Sequence, residues 1–181
     1  PRVISCSWGY HLPNVMTLPA ALVPLRLRIL SVVAAGVTVV FSGGNGQVGF
    51  PGMMPEVISV GGVYADQNAA LRASNYASSF ISLIYPGRRV PDFCGLVGMQ
   101  PRATYIMLPL QRGCQIDVDL GGGPQPNKDE TSVNDAWSVI SGTSAAAPQV
   151  AGICALLLQK RSTLTPSQVK AILRGTATDV T

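Results

Sequence analysis

Apolar residues along this chain follow two rhythms. Unbroken runs rich in β-branched and aromatic side chains occupy residues 37–41 and 57–63, the pattern of parallel strands covered on both faces. Residues 3–8 read as another buried strand, and 81–85 and 104–108 as two more. The second rhythm is helical. Over residues 20–35, Leu22, Leu25, Ile29, Val32 and Val33 fall on one face, with Pro24 in the first turn and Gly36 as the stop. Residues 144–160 form a second helix, apolar nearly all round from Val150 to Leu158, which predicts a central, buried position. Thr165-Pro166-Ser167-Gln168 is a capping box that opens a last helix running through Leu173. Residues 86–102 and 111–134 carry no clear period and are expected to be irregular surface insertions. Strands alternating with helices predict an α/β layer fold with a mostly parallel central sheet, within one domain spanning residues 1–181.

Composition narrows the function classes. Hydrophobic residues make up 47% of the 181 and charged residues only 12%, a globular balance with a large buried fraction. The formal charge of +4 is scattered and forms no basic cluster with interleaved aromatics, which argues against nucleic acid. No apolar run is as long as a membrane span, and no signal-peptide pattern is present. The opening Pro1-Arg2 without a methionine is expected of a fragment or a processed chain. Cys6 in a strand and Cys154 in a helix read as buried thiols, whereas Cys94 and Cys114 flank a loop-rich region and could form a disulfide.

The chemistry concentrates at the start of the second helix. There Ser-Gly-Thr-Ser-Ala-Ala-Ala-Pro-Gln-Val-Ala-Gly, residues 141–152, places a hydroxyl on small-residue turns. Gly142 allows a sharp bend, and Thr143 can serve as the N-cap. Ser144 would then sit in the first helical turn, where free N–H groups favour a developing negative charge. That environment suits a serine nucleophile that builds an oxyanion during acyl transfer. The segment resembles the nucleophile segment of the subtilisin-like serine peptidases, Gly-Thr-Ser-x-Ala-x-Pro-x-Val-Ala-Gly, with every fixed position present. The resemblance implies that Ser144 is the nucleophile. It also implies a three-layer subtilisin-like fold with helices on both faces of the sheet.

A second constellation, Phe41-Ser42-Gly43-Gly44-Asn45-Gly46, follows directly on a strand. Gly44-Asn45-Gly46-Gln47-Val48-Gly49 also fits a dinucleotide fingerprint, but Phe50-Pro51-Gly52-Met53-Met54-Pro55 forbids the helix which that site requires. A side-chain amide at a strand end can instead donate to an oxyanion. Residues 39–63 resemble the subtilase segment that carries the oxyanion asparagine, and Asn45 aligns with it. Ser7-Trp8-Gly9 and Ser42-Gly43-Gly44 resemble the two walls of the substrate cleft, which predicts a deep, apolar specificity pocket and a peptide substrate that pairs with this backbone.

The catalytic partners are missing. In subtilases the Asp and His segments precede the strand that residues 3–8 resemble, and this chain has neither. The only histidine, His11, follows that strand and reads as a surface or loop-anchoring residue. Ser167 and Lys170 fit a Ser-x-x-Lys pattern that the capping box explains better. The chain therefore reads as the C-terminal portion of a subtilase domain, a serine endopeptidase whose Asp and His come from an upstream segment or a companion chain. The alternative is a non-catalytic peptide-binding or assembly module on the same scaffold. Asp117, Asp119, Asp129 and Glu130 could bind calcium. Their spacing matches no known calcium loop, so a solvated acidic loop is the simpler reading and no cofactor or metal ligand is assigned. The family resemblance leans toward secretion.

Overall fold

The computed structural model describes residues 1–101 and 106–180. In chain order its elements are β1 (Val3–Cys6), β2 (Tyr10–His11), a 3-10 turn (Ala20–Leu22) leading into α1 (Val23–Ala34), β3 (Thr38–Ser42), β4 (Gly49–Phe50), β5 (Ile58–Ala65), β6 (Leu71–Ala73), β7 (Phe80–Ile81), β8 (Arg89–Val90), β9 (Phe93–Leu96), β10 (Ile106–Pro109), α2 (Gln115–Leu120), β11 (Trp137–Ile140), α3 (Thr143–Lys160) and α4 (Pro166–Thr176). β1, β3, β5 and β9 are parallel, with Val3 beside Thr38, Val40 beside Ile58 and Val60 beside Phe93. The short β6 runs antiparallel on the far end of β5.

Alternation along β3 builds the layers. Val40 joins Val60, Val97, Ala146, Val150, Cys154 and Val169 in the core beneath α3 and α4. Its neighbours Val39 and Phe41 point the other way, into the core that α1 closes with Ile29, Phe50, Met53 and Met54. This is the α/β arrangement with a mostly parallel sheet that the sequence pattern predicted, in the three layers that the resemblance implied. Gly36, at φ +83°, stops α1 in the left-handed region, and the Thr165 capping box is present with both of its hydrogen bonds.

Several expectations are corrected. The strand over 3–8 ends at Cys6 and is half-buried, because among the described residues it pairs with β3 alone and its other edge is open. Of the expected strand over 81–85 only Ile81 is extended, as the second residue of β7, and the chain then turns, with Tyr85 N–H on Ser82 Oγ. The expected strand over 104–108 lies partly outside the described residues, and β10 begins at Ile106. The supposedly irregular 86–102 contains β9, a strand of the central sheet. Pro91 and Gly95 disguise it, yet Gly95 is required: a Cβ there would stand 2.9 Å from the Ala146 carbonyl oxygen of α3. α3 is buried on one side only, with Ile153 48% and Leu156 65% exposed. All four cysteines are free, so the Cys94–Cys114 disulfide is absent.

Nor is 111–134 a solvated acidic excursion. It holds α2, and Asp117 and Asp129 are buried. Asp117 accepts from the Gly113 N–H at 2.7 Å. Asp129 accepts from Thr131 N–H and O–H and from Val139 N–H, which ties the loop to β11. Burial alone would raise its pKa, but those donors outweigh it and lower the value to about 2. These carboxylates serve as backbone anchors.

A third carboxylate, Asp92, fixes α4. The Asp92 side chain, 1% exposed, takes both guanidinium nitrogens of Arg88, Lys170 Nζ at 3.0 Å and the Ser59 N–H at 2.8 Å. Lys170 also donates to the Pro55 and Val57 carbonyls. Lys170 is thereby committed to this structural network, and Ser167 bonds with the capping Thr165, so the Ser-x-x-Lys pattern is structural.

Candidate active site

α3 begins at Gly142, whose φ of +130° is open to glycine and strained for any other residue. Gly142 is therefore the N-cap, in place of the expected Thr143. Thr143 is the first helical residue, 1% exposed, and its hydroxyl works across the chain: it accepts from Gly44 N–H at 3.1 Å and donates to Asn45 Oδ1 at 3.0 Å. Thr143 N–H also donates to Asn45 Oδ1, at 2.9 Å. A backbone N–H can only donate, so the Asn45 atom facing it must be the oxygen. The Asn45 amide is thus held by its acceptor, and among the described residues its Nδ2 has no acceptor.

Ser144 follows, exposed, while Thr143, Ala145, Ala146 and Ala147 around it are buried. Its N–H lies in the first turn, where no intrahelical partner exists. The helix resumes with Ala145 and Ala146 N–H on the Gly142 carbonyl. Pro148 sits four residues on and has no N–H to give the Ser144 carbonyl. That carbonyl instead accepts from the Ser7 hydroxyl at 2.8 Å, and Ser144 Oγ lies 3.5 Å from the Ser7 carbonyl. The proline of the motif thereby frees an acceptor that clamps the strand end to the helix start. Gln149 locks the other side: it exchanges hydrogen bonds with both backbone groups of Leu96 at the end of β9.

Ser144, Asn45, Thr143, Ser7, Trp8, Gly9, Ser42 and Gly44 line one cavity of about 240 Å³. Chain positions a hundred apart are thus brought together at one opening. Gly43 lies behind the wall, its N–H on the Val60 carbonyl at 2.7 Å. Trp8, 48% exposed, packs edge-on against Phe41 with ring centroids 5.2 Å apart. The pocket is less apolar than expected, because His11 and Gln47 line it as well. His11 anchors a loop as anticipated: Nδ1 accepts from Val48 N–H at 3.0 Å. The glycine-rich segment leads into β4 and a turn rather than a helix, which removes the dinucleotide alternative. On the other side of Ser144 lies an apolar groove of about 470 Å³ lined by Leu96, Ile106, Leu108, Ile140 and Pro148.

Burial raises the pKa of Cys6 and Cys94, and that of Cys154 to about 11, so these thiols stay protonated at neutral pH. The motifs singled out Ser144 and Asn45 as candidates, and the structure brings the two to one cavity. Sequence reasoning missed the anchoring by Thr143 and Gln149 and the polar lining by His11 and Gln47, since each depends on contacts between distant segments.

The family model of the subtilase family matches residues 1–181, and the chain belongs to that family of serine proteases. Among curated relatives, the serine protease AprX of Bacillus subtilis (strain 168) is 30% identical over 160 residues, covering 84% of this chain and 33% of AprX. The extracellular serine protease of Serratia marcescens is 43% identical over 54 residues, 30% of this chain and 5% of that protein. Among solved structures, sphericase superposes with a TM-score of 0.61 at 21% identity, over 97% of this chain and 48% of sphericase. The fold is therefore subtilisin-like, and the chain spans a third of AprX and about half of sphericase. Among the described residues no helix is long and apolar enough to cross a membrane.

Proposed function

We propose that this chain is the C-terminal portion of a subtilisin-like serine endopeptidase, with Ser144 as the nucleophile. Ser144 Oγ attacks the scissile carbonyl carbon while a base takes its proton. The tetrahedral oxyanion receives hydrogen bonds from Asn45 Nδ2 and the Ser144 N–H. Collapse expels the amine with that proton and leaves an acyl-enzyme, which water hydrolyses. The Asp and His come from an upstream segment of the protein or from a companion chain. The substrate strand runs between Ser7–Gly9 and Ser42–Gly44.

The observation that carries this reading is the fixed donor pair. Asn45 is held by its oxygen on Thr143, so its N–H₂ is left beside an exposed serine in the same cavity. The uncovered groove next to Ser144 and the exposed Ile153 and Leu156 of α3 support a further covering segment. The kinship with a relative named as extracellular favours secretion.

The test is covalent labelling with a fluorophosphonate. The full-length protein is expected to label at Ser144, and the chain of residues 1–181 alone at a far lower rate, since loss of the triad partners leaves only the residual acceleration of the oxyanion donors and binding. The second reading, a peptide-binding module without catalysis, is favoured by one observation: His11, the only histidine, is engaged with Val48 N–H and not with Ser144. Absence of labelling in the full-length protein would establish that reading instead.

A further inference from the structure

Three side chains around the cavity share one device. Thr143 N–H pins Asn45 by its Oδ1 at 2.9 Å, Asn45 N–H pins Gln47 by its Oε1 at 2.6 Å, and Val48 N–H pins His11 by its Nδ1 at 3.0 Å. Each backbone N–H can only donate, so each side chain is held by its acceptor and turned to keep its donor. Asn45 and Gln47 keep their NH₂ groups, and neutral His11 keeps its proton on Nε2. Among the described residues none of these three donors has an acceptor. No charged side chain lines the cavity, and its other walls combine Trp8, Tyr10 and Thr143 with small serines and glycines.

We infer that the pocket beside Ser144 selects a substrate side chain that ends in an acceptor oxygen, a carboxamide or carboxylate, bound by the Gln47 and His11 donors. This rests on the reading of Ser144 and Asn45 as the groups that meet the scissile carbonyl. Asn45 serves the oxyanion, while Gln47 and His11 lie in the same cavity and serve the side chain of the residue on the acyl side of the cleaved bond. A Leu or Phe side chain would bury both donors without a partner, and an unmade hydrogen bond costs more than a made one contributes. A Lys side chain would bring further donors to donors. Gln and Glu fit the pattern and have the reach to enter from a backbone paired along Ser7–Gly9. Gly9 packs closely on the neighbouring strand: a Cβ there would stand 3.0 Å from the Phe50 carbonyl oxygen, so this wall stays glycine.

The test uses product-like peptides, identical except for a last residue of Gln, Glu, Leu, Phe or Lys, titrated calorimetrically into the full-length Ser144→Ala protein. The expected result is about ten-fold tighter binding of the Gln and Glu peptides than of the Leu peptide, the ratio that one or two net hydrogen bonds supply. Gln47→Leu is expected to erase most of that ratio. His11→Asn, which keeps both an acceptor for Val48 and a donor, is expected to retain it where His11→Leu does not. Equal or tighter binding of the Leu or Phe peptide overturns the inference, as does a ranking unmoved by Gln47→Leu. Because binding is read without turnover, this failure is distinct from failure of Ser144 to label in the unmodified protein, which bears on the enzymatic reading alone.

Discussion

Replacing Thr143 with Val removes a hydroxyl and keeps the shape. The side chain is 1% exposed, and its oxygen makes two hydrogen bonds, from Gly44 N–H at 3.1 Å and to Asn45 Oδ1 at 3.0 Å. The substitution leaves the Gly44 N–H without its acceptor and buries a methyl against the Asn45 carboxamide. One buried group left unsatisfied costs about 1–3 kcal/mol. Asn45 retains the Thr143 N–H at 2.9 Å, so the loop does not detach. It loses one of two restraints, and the amide can rotate its donor away from the cavity. Removal of one oxyanion donor outright costs on the order of 100- to 1000-fold in kcat, a magnitude measured in subtilisin and not worked from this structure. Thr143→Val is therefore expected to fall short of Asn45→Ala, at about 10-fold or more. Urea denaturation and peptide hydrolysis by the full-length protein measure the two effects, and Thr143→Ser, which keeps the oxygen, should recover both. A Val variant within about 0.5 kcal/mol and two-fold of the parent would refute the claim that this hydroxyl positions Asn45.

Three further outcomes follow from the geometry. Ser7→Ala should destabilise by about 0.5–1.5 kcal/mol, and by less in a Pro148→Ala background, where a restored N–H can satisfy the Ser144 carbonyl; a double-mutant cycle with no coupling would contradict the clamp. Gly142→Ala forces a side chain into φ +130° and brings Cβ to 3.3 Å from Asn45 Nδ2, so both stability and labelling of Ser144 should fall; an unchanged labelling rate argues that Asn45 is not held there. Asp92→Asn leaves Arg88 and Lys170 buried without their counter-charge and should cost about 3–5 kcal/mol in denaturant titration. Burial alone would raise the Asp92 pKa, but the Arg88 hydrogen bond, the Lys170 charge and the Ser59 N–H outweigh it and hold the value below 3.8. Its contribution is therefore fully present above pH 3.8 and drains away as the pH falls through the folded-state value. The Asn variant should lack that acid-side loss; parallel pH curves for the two proteins would exclude Asp92 as its source.

What the sequence disclosed was what local chemistry decides. The stop at Gly36, the Thr165 capping box and the buried run of β3 from Thr38 to Phe41 are written in a few adjacent residues, and each is found in the structure. Ser144 and Asn45 could be singled out because two short motifs each carry their own turn chemistry, and the structure places both at one cavity. What escaped reading depends on distant neighbours. β9 looked irregular because Gly95 interrupts it, and that glycine answers to α3, fifty residues on. α3 looked buried all round because its apolar residues do not reveal which face has a partner. Asp117 and Asp129 looked solvated because their acidic neighbourhood does not announce that the Ala136 and Val139 N–H groups, 19 and 10 residues on, fold back onto them. Thr143 was read as a cap, when the left-handed turn falls one residue earlier and its hydroxyl reaches across to Asn45.

The most direct measurement is a crystal structure of the full-length protein after reaction with a small fluorophosphonate. The adduct is expected on Ser144 Oγ, with its phosphoryl oxygen within about 2.7–3.1 Å of both Asn45 Nδ2 and the Ser144 N–H. An adduct on another residue, or a phosphoryl oxygen turned away from Asn45, would contradict the account.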